Sequence, residues 1–192
     1  LNLIEPHARE RNIVIERGFE IRLAPDLLLR LREGEASTLA GTNVVLVDLP
    51  FIDWPLFADD TIFALQAAGF QPILAHPERY PRIQKTPGFG LEIAQRGVAL
   101  QVNIASLTGL FGRQARRAAE DLLRLGAVHL AATDAHSAGH RMAAVPEGMN
   151  RLRDLVGEEG LNRLVTENPA SLLNGDPLPA PVVAREKVGS GF

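Results

Sequence analysis

Pro72-Ile73-Leu74-Ala75-His76-Pro77-Glu78-Arg79 joins an apolar run to an imidazole, a turn-forming proline and a guanidinium. Pro77 has no N–H with which to extend a ladder, so a strand over 72–75 must end in a turn at His76. A short run with no polar side chain on either face suits a strand covered on both sides, which is how parallel strands occur. Arg79, three residues past the histidine, offers a planar fork of donors matched to phosphate oxygens.

Similar runs recur on both sides of it. Residues 12–15 with 18–23, 44–49, 99–104 and 128–133 are rich in aliphatic and β-branched side chains and read as strands. Helical patterns fill the intervals at 26–33, 56–68, 90–96 and 113–125, and continue over 141–173. Gly69, Gly97 and Gly126 follow three of these helices, where a left-handed cap would sit. Strand and helix alternate throughout, which predicts an α/β fold with a parallel sheet. Periodicity does not choose between an open doubly wound sheet and a barrel.

One domain is expected over 1–175, followed by a flexible tail over 176–192 that contains Pro177, Pro179 and Pro181. The chain opens on Leu1, inside a helical pattern over 1–11 that lacks a capping residue, and so reads as the greater part of a longer protein.

Composition narrows the chemistry. The 192 residues carry a formal net charge of −3 with both signs interspersed, unlike the basic footprint of a nucleic-acid binder. No cysteine is present, which excludes disulfides, thiolate metal sites and a cysteine nucleophile. No apolar stretch approaches the ~20 residues that span a bilayer, so membrane insertion is not expected and a cytoplasmic location is.

Polar residues stand at the downstream ends of the candidate strands: Glu20, Asp48, His76, Asn103, and Asp134 with His136. In parallel β/α architectures those ends form one face, so groups far apart in sequence converge there. Carboxylates and imidazoles without thiolates suit divalent Mn, Zn, Fe or Mg. Asp134 and His136 would point to one side if the backbone stayed extended between them.

Each residue also has a plainer reading. Glu20 could pair with Arg22, Asp48 could cap the turn at Leu49-Pro50, and Asp134 could cap the next helix. His76 could be a hydrogen-bonded core residue, as His129 is expected to be. The shared strand-end placement favours the metal reading, although Asp48 stays evenly balanced. His140 and Arg141 read as loop residues close enough to reach a substrate.

Gly18-Phe19-Glu20-Ile21-Arg22-Leu23, Ala75-His76-Pro77-Glu78-Arg79, Ser106-Leu107-Thr108-Gly109-Leu110-Phe111-Gly112, Thr133-Asp134-Ala135-His136 and Glu167-Asn168-Pro169-Ala170-Ser171-Leu172-Leu173 occur in order. Together they resemble the bacterial capsule and exopolysaccharide type of tyrosine-protein phosphatase in the polymerase and histidinol phosphatase (PHP) superfamily. The resemblance implies a distorted (β/α) barrel of PHP type with a manganese-loaded trinuclear centre. It further implies hydrolysis of phosphotyrosine on the tail of a bacterial tyrosine kinase that controls exopolysaccharide synthesis. Carried over, Glu20, Asp48, His76, Asp134 and His136 become metal ligands, and Arg79 and His136 the catalytic residues. The Asp48 position is usually Glu in that family, and the early His-x-His strand of the family would lie upstream of Leu1, leaving the barrel truncated at its N-terminus. The alternatives are a small-molecule phosphatase of the same superfamily and an inactive truncated binding module. A metal-dependent amidohydrolase ranks below both, because no lysine stands at a strand end. Homo-oligomerisation stays open.

Overall fold

The computed structural model describes residues 4–50 and 53–185. Five strands, β1 (Glu20–Arg22), β2 (Val44–Asp48), β3 (Gln71–Ala75), β4 (Ala99–Asn103) and β5 (Leu130–Ala132), form one sheet in that spatial order. Every pairing is parallel, with Leu46 opposite Glu20, Ile73 opposite Leu46, Ala99 opposite Ile73 and Leu130 opposite Gln101. The strand order never reverses, so no switch point of the doubly wound kind exists within the sheet.

Helices α1 (Glu5–Arg9), α2 (Leu27–Arg32), α3 (Ala58–Ala67), α4 (Pro81–Lys85), α5 (Pro87–Gln95), α6 (Arg113–Arg124), α7 (His140–Ala143), α8 (Val145–Asn162) and α9 (Asn168–Leu173) complete the described chain. The helix read over 90–96 is α5, which starts earlier, at Pro87, and α4 is a further short helix before it; each carries proline in its first turn. The fixed φ of proline suits a helix start, and its missing N–H needs no partner there. Among the described residues no helix is long and apolar enough to cross a membrane.

Alternation along the strands sends side chains into two apolar layers. Val45, Val47, Leu74, Leu100 and Val102 pack with Leu27, Leu65, Ile83, Leu122 and Leu123 of the helices. Val44, Ile73, Ala99 and Leu130 face the other way and meet Leu172 of α9, with the partly buried Leu39, Leu46 and Leu178 against them. Gly148 of α8 lies directly on the backbone after β4: a Cβ there would stand 2.6 Å from the carbonyl oxygen of Ile104.

Three sequence expectations change. Residues 12–15 form no strand, because Asn12 takes a left-handed φ of 55° and turns the chain, leaving Val14 82% exposed. Val128 lies outside β5 and instead makes an isolated antiparallel bridge with Val182. The 178–185 part of the expected flexible tail is held: Val182 N–H donates to Val128 O at 2.7 Å, Ala184 N–H to Leu123 O at 2.9 Å and Arg185 N–H to Leu155 O at 2.8 Å. Burial of Val182, 3% exposed, supplies the apolar anchor that the prolines around it do not. Residues 186–192 lie outside the described part.

His129 is a core residue as expected. Leu100 N–H donates to its Nδ1 at 3.1 Å, and Asn168 Nδ2 donates to its carbonyl at 2.7 Å. Burial pushes its pKa down to about 4 from an ordinary 6.5. The unfolded chain therefore takes up this proton first, so the contribution of neutral His129 is complete above about pH 6.5 and drains away as pH falls towards 4. The melting temperature should fall across that window, and the His129→Gln variant should show a shallower fall when both are scanned from pH 8 to pH 4.

Candidate active site

Parallel register fixes which side chains share a face. Glu20 stands beside Leu46, Arg22 beside Asp48, and Asn103 beside Ala132, so Glu20, Asp48 and Asn103 leave the sheet on the same side at its carboxyl end. His76 and Asp134 follow β3 and β5 and join them there through an unusual backbone. Among the described residues the non-glycine positions with positive φ are Asn12, Ala40, His76 (37°) and Asp134 (48°). A left-handed histidine before a proline is costly, and strain of this kind is retained where the surroundings over-determine it.

The side chains meet in a chain of contacts. His76 Nε2 lies 3.0 Å from Glu20 Oε1, and Arg22 Nε lies 3.1 Å from Asp48 Oδ1. Asp134 Oδ2 accepts from Asn103 Nδ2 at 3.1 Å and from Arg141 Nη1 at 2.6 Å, with Arg79 Nη1 at 3.9 Å. His76, Asp134 and Asp48 are largely buried, whereas the His136 side chain is 70% exposed. Thus the plain ion pair expected for Glu20 goes to His76, and Arg22 takes Asp48 instead.

The hydrogen bond with His76 holds the Glu20 carboxyl below its ordinary pKa, aided by the charges of His76, His136 and Arg79. Burial pushes the Asp48 carboxyl up, opposed by Arg22. Glu20, Asp48, His76, Arg79 and His136 therefore act on one another as a single electrostatic patch.

His136 departs from the expected geometry. The left-handed turn at Asp134 ends the extended backbone, yet the two side chains stay close, with His136 Nδ1 3.7 Å from Asp134 Oδ1. His136 Nδ1 sits 2.9 Å from the Asp134 carbonyl oxygen and 2.8 Å from Arg141 Nη1. Asp134 caps no helix either, since α7 begins at His140 after Gly139.

Among the described residues no three His, Asp or Glu side chains close around one point as a metal cage. The donors come in pairs: Glu20 with His76, Asp48 with Arg22, and Asp134 with the two arginines. The Glu20–His76 pair nevertheless suits a shared cation. A carboxylate oxygen and an imidazole nitrogen, both donors that divalent cations accept, stand 3.0 Å apart there.

Residues not singled out from sequence complete the site. Glu78 is fully buried between the turns after β3 and β4, where its Oε1 accepts from Ser106 Oγ at 2.6 Å and from Asn103 N–H at 3.2 Å. Burial pushes its pKa up, and no hydrogen-bond partner for Oε2 occurs among the described residues. Tyr80 accepts from Leu49 N–H at 3.0 Å, tying the end of β2 to the same turn. Arg141, read from the sequence as a loop residue within reach of a substrate, carries the second guanidinium. The adjacency of Glu78 to His76-Pro77 was the one available signal for Glu78, and sequence alone does not bury it.

Comparison with known proteins identifies the family. The family model described as capsular polysaccharide synthesis, CpsB/CapC, matches residues 4–174. The tyrosine-protein phosphatase YwqE of Bacillus subtilis is 31% identical over 176 residues, covering 90% of this chain and 69% of that protein. A putative tyrosine-protein phosphatase, CapC, of Staphylococcus aureus is 28% identical over 82% of this chain and 59% of its own length. A crystal structure from work on YwqE of Bacillus subtilis and CpsB of Streptococcus pneumoniae, described as unique metal-dependent tyrosine phosphatases, superposes with a TM-score of 0.84. It is 26% identical and covers 96% of this chain and 76% of that one.

The buried Glu78 latch has a measurable consequence. Replacing it with Ala leaves the Asn103 N–H and Ser106 Oγ unpaired and opens a cavity, which should lower stability by about 2–4 kcal/mol. Glu78→Gln keeps the accepting oxygen and should stay within about 1 kcal/mol of the parent in chemical denaturation.

Proposed function

The chain belongs to the CpsB/CapC family of capsular polysaccharide synthesis, and on that footing we propose that it is a metal-dependent protein-tyrosine phosphatase. The observation that carries this reading is the meeting, on one rim, of the Glu20–His76 donor pair with two guanidinium groups around Asp134. The winding order of the sheet, without reversal, supports a β/α barrel as the scaffold.

Glu20, His76, Asp48, Asp134 and His136 are the residues that would hold divalent cations, with manganese the expected ion. Such ions supply Lewis-acid charge and lower the pKa of water near them. Arg79 and Arg141 grip and orient the phosphoryl oxygens, using donors already drawn to an oxyanion, the carboxylate of Asp134. Asn103 and Arg141 fix Asp134, and Glu78 fixes Asn103, so the rim is set before substrate arrives. Where its ring is not holding a cation, His136, exposed beside Arg141, would be the group that exchanges a proton with the departing oxygen.

The leaving group needs little of that help. A phenolic oxygen with a pKa of ~10 departs far more readily than an alkoxide, which favours aryl over alkyl monoesters. The physiological substrate is the phosphotyrosine-bearing tail of a bacterial tyrosine kinase, as the capsule connection of the family suggests.

Protein supplied with manganese should hydrolyse p-nitrophenyl phosphate, and a chelator should abolish the activity. His76→Asn removes the imidazole yet tolerates the left-handed backbone, and should lower kcat/KM by about 100-fold or more while the fold, read by circular dichroism, persists. Turnover that survives chelation sinks the metal reading.

A further inference from the structure

We propose that Phe111 is a positioning residue whose ring seats Arg79 and Arg141 side by side as a two-armed clamp for the phosphate group of the substrate. The inference rests on the phosphatase reading and deepens it by assigning what holds the clamp together.

The guanidinium carbon of Arg79 lies 4.6 Å from the centroid of the Phe111 ring, and that of Arg141 lies 5.2 Å from the same centroid. Both distances fall within the ~6 Å over which a cation is drawn to an aromatic face. The two arginines come from different elements, Arg79 from the turn after β3 and Arg141 from α7, so their meeting is a property of the fold. Two like charges brought this close repel each other unless something offsets them.

Asp134 offsets part of that repulsion, but a carboxylate competes for the same donor edges that phosphate needs. An aromatic ring does not. Attraction of the guanidinium charge to the ring needs no oxygen acceptor, so N–H groups remain to serve phosphate oxygens. The ring therefore keeps the arginines together without using up their phosphate-binding edges.

The backbone around Phe111 is built for this placement. Gly112 N–H donates to Gly109 O at 2.8 Å, closing a tight turn around Leu110 and Phe111. Gly109 and Gly112 adopt φ of 88° and 93°, a region that favours glycine, so the turn holds its shape independently of the side chains it presents. The turn follows the segment 104–108 that Glu78 latches and Gly148 abuts, so the ring is mounted on a rigid base.

The test compares the full chain with its Phe111→Leu and Phe111→Tyr variants, each loaded with manganese. KM and kcat for p-nitrophenyl phosphate are read alongside calorimetric binding of inorganic phosphate and the melting temperature. Phe111→Leu should weaken phosphate binding and raise KM together by about 5- to 10-fold, with kcat changed by less than about threefold. Phe111→Tyr, which keeps the aromatic face, should restore both constants to within about twofold of the parent. Equal losses in the two variants, or phosphate binding indifferent to Phe111→Leu, would overturn the proposal. A parent that binds phosphate through Phe111 but turns over no ester would count against the phosphatase reading alone, and a parent that binds no phosphate would overturn the clamp as well.

Discussion

All five strands run the same way, so each delivers its last residue to the same rim, and the ladder register determines which side chains emerge together. Glu20, Asp48 and Asn103 share a face because their registered partners do, whatever their separation along the chain. A slip of one residue in any pairing would send that carboxylate or amide into the apolar layer beneath the helices. Burial of Val45, Val47, Leu74, Leu100 and Val102 on that opposite face resists such a slip, so core packing and site chemistry are set by the same hydrogen-bond ladder.

Polar groups at the rim are then organised in depth. Glu78 lies lowest and joins the turns after β3 and β4, Asn103 carries that order to Asp134, and the arginines meet above it. Each member is oriented by the one below, and fixed donors of this kind need little reorganisation when a charged group arrives. Backbone strain belongs to the same construction: His76 and Asp134, which end β3 and β5, both adopt left-handed conformations.

Much of this was legible beforehand. Aliphatic runs located β2, β3 and β4 closely, the glycines at 69, 97 and 126 all take the left-handed conformation expected of helix ends, and Pro77 marked the turn that presents His76. What escaped was tertiary. Residues 12–15 have strand-like composition, but no neighbouring strand pairs with them among the described residues, and the chain turns at Asn12 instead. The tail prolines suggested looseness, whereas Val182 finds a buried seat against Val128 that composition cannot reveal. Arg141 was legible as a loop residue within reach of a substrate but not as a partner of Asp134, and Glu78 only as a neighbour of better candidates, because sequence does not encode burial of a single carboxyl. Asp134 and His136 do come within 3.7 Å of each other, but through a left-handed turn at Asp134 and not through the extended backbone that their spacing presumes.

Gly148 sits bare against Ile104, where a Cβ would stand 2.6 Å from both the carbonyl oxygen and Cγ2 of that residue, so helix and rim turn approach more closely than any larger residue would allow. A side chain introduced there would push α8 away from the Asn103 side of the rim. The segment over 135–139 is exposed and irregular, and it leads into the four-residue helix that bears Arg141. The two partners of Asp134 are thus mounted differently, Asn103 on a strand end backed by α8 and Arg141 on a short helix behind an exposed segment.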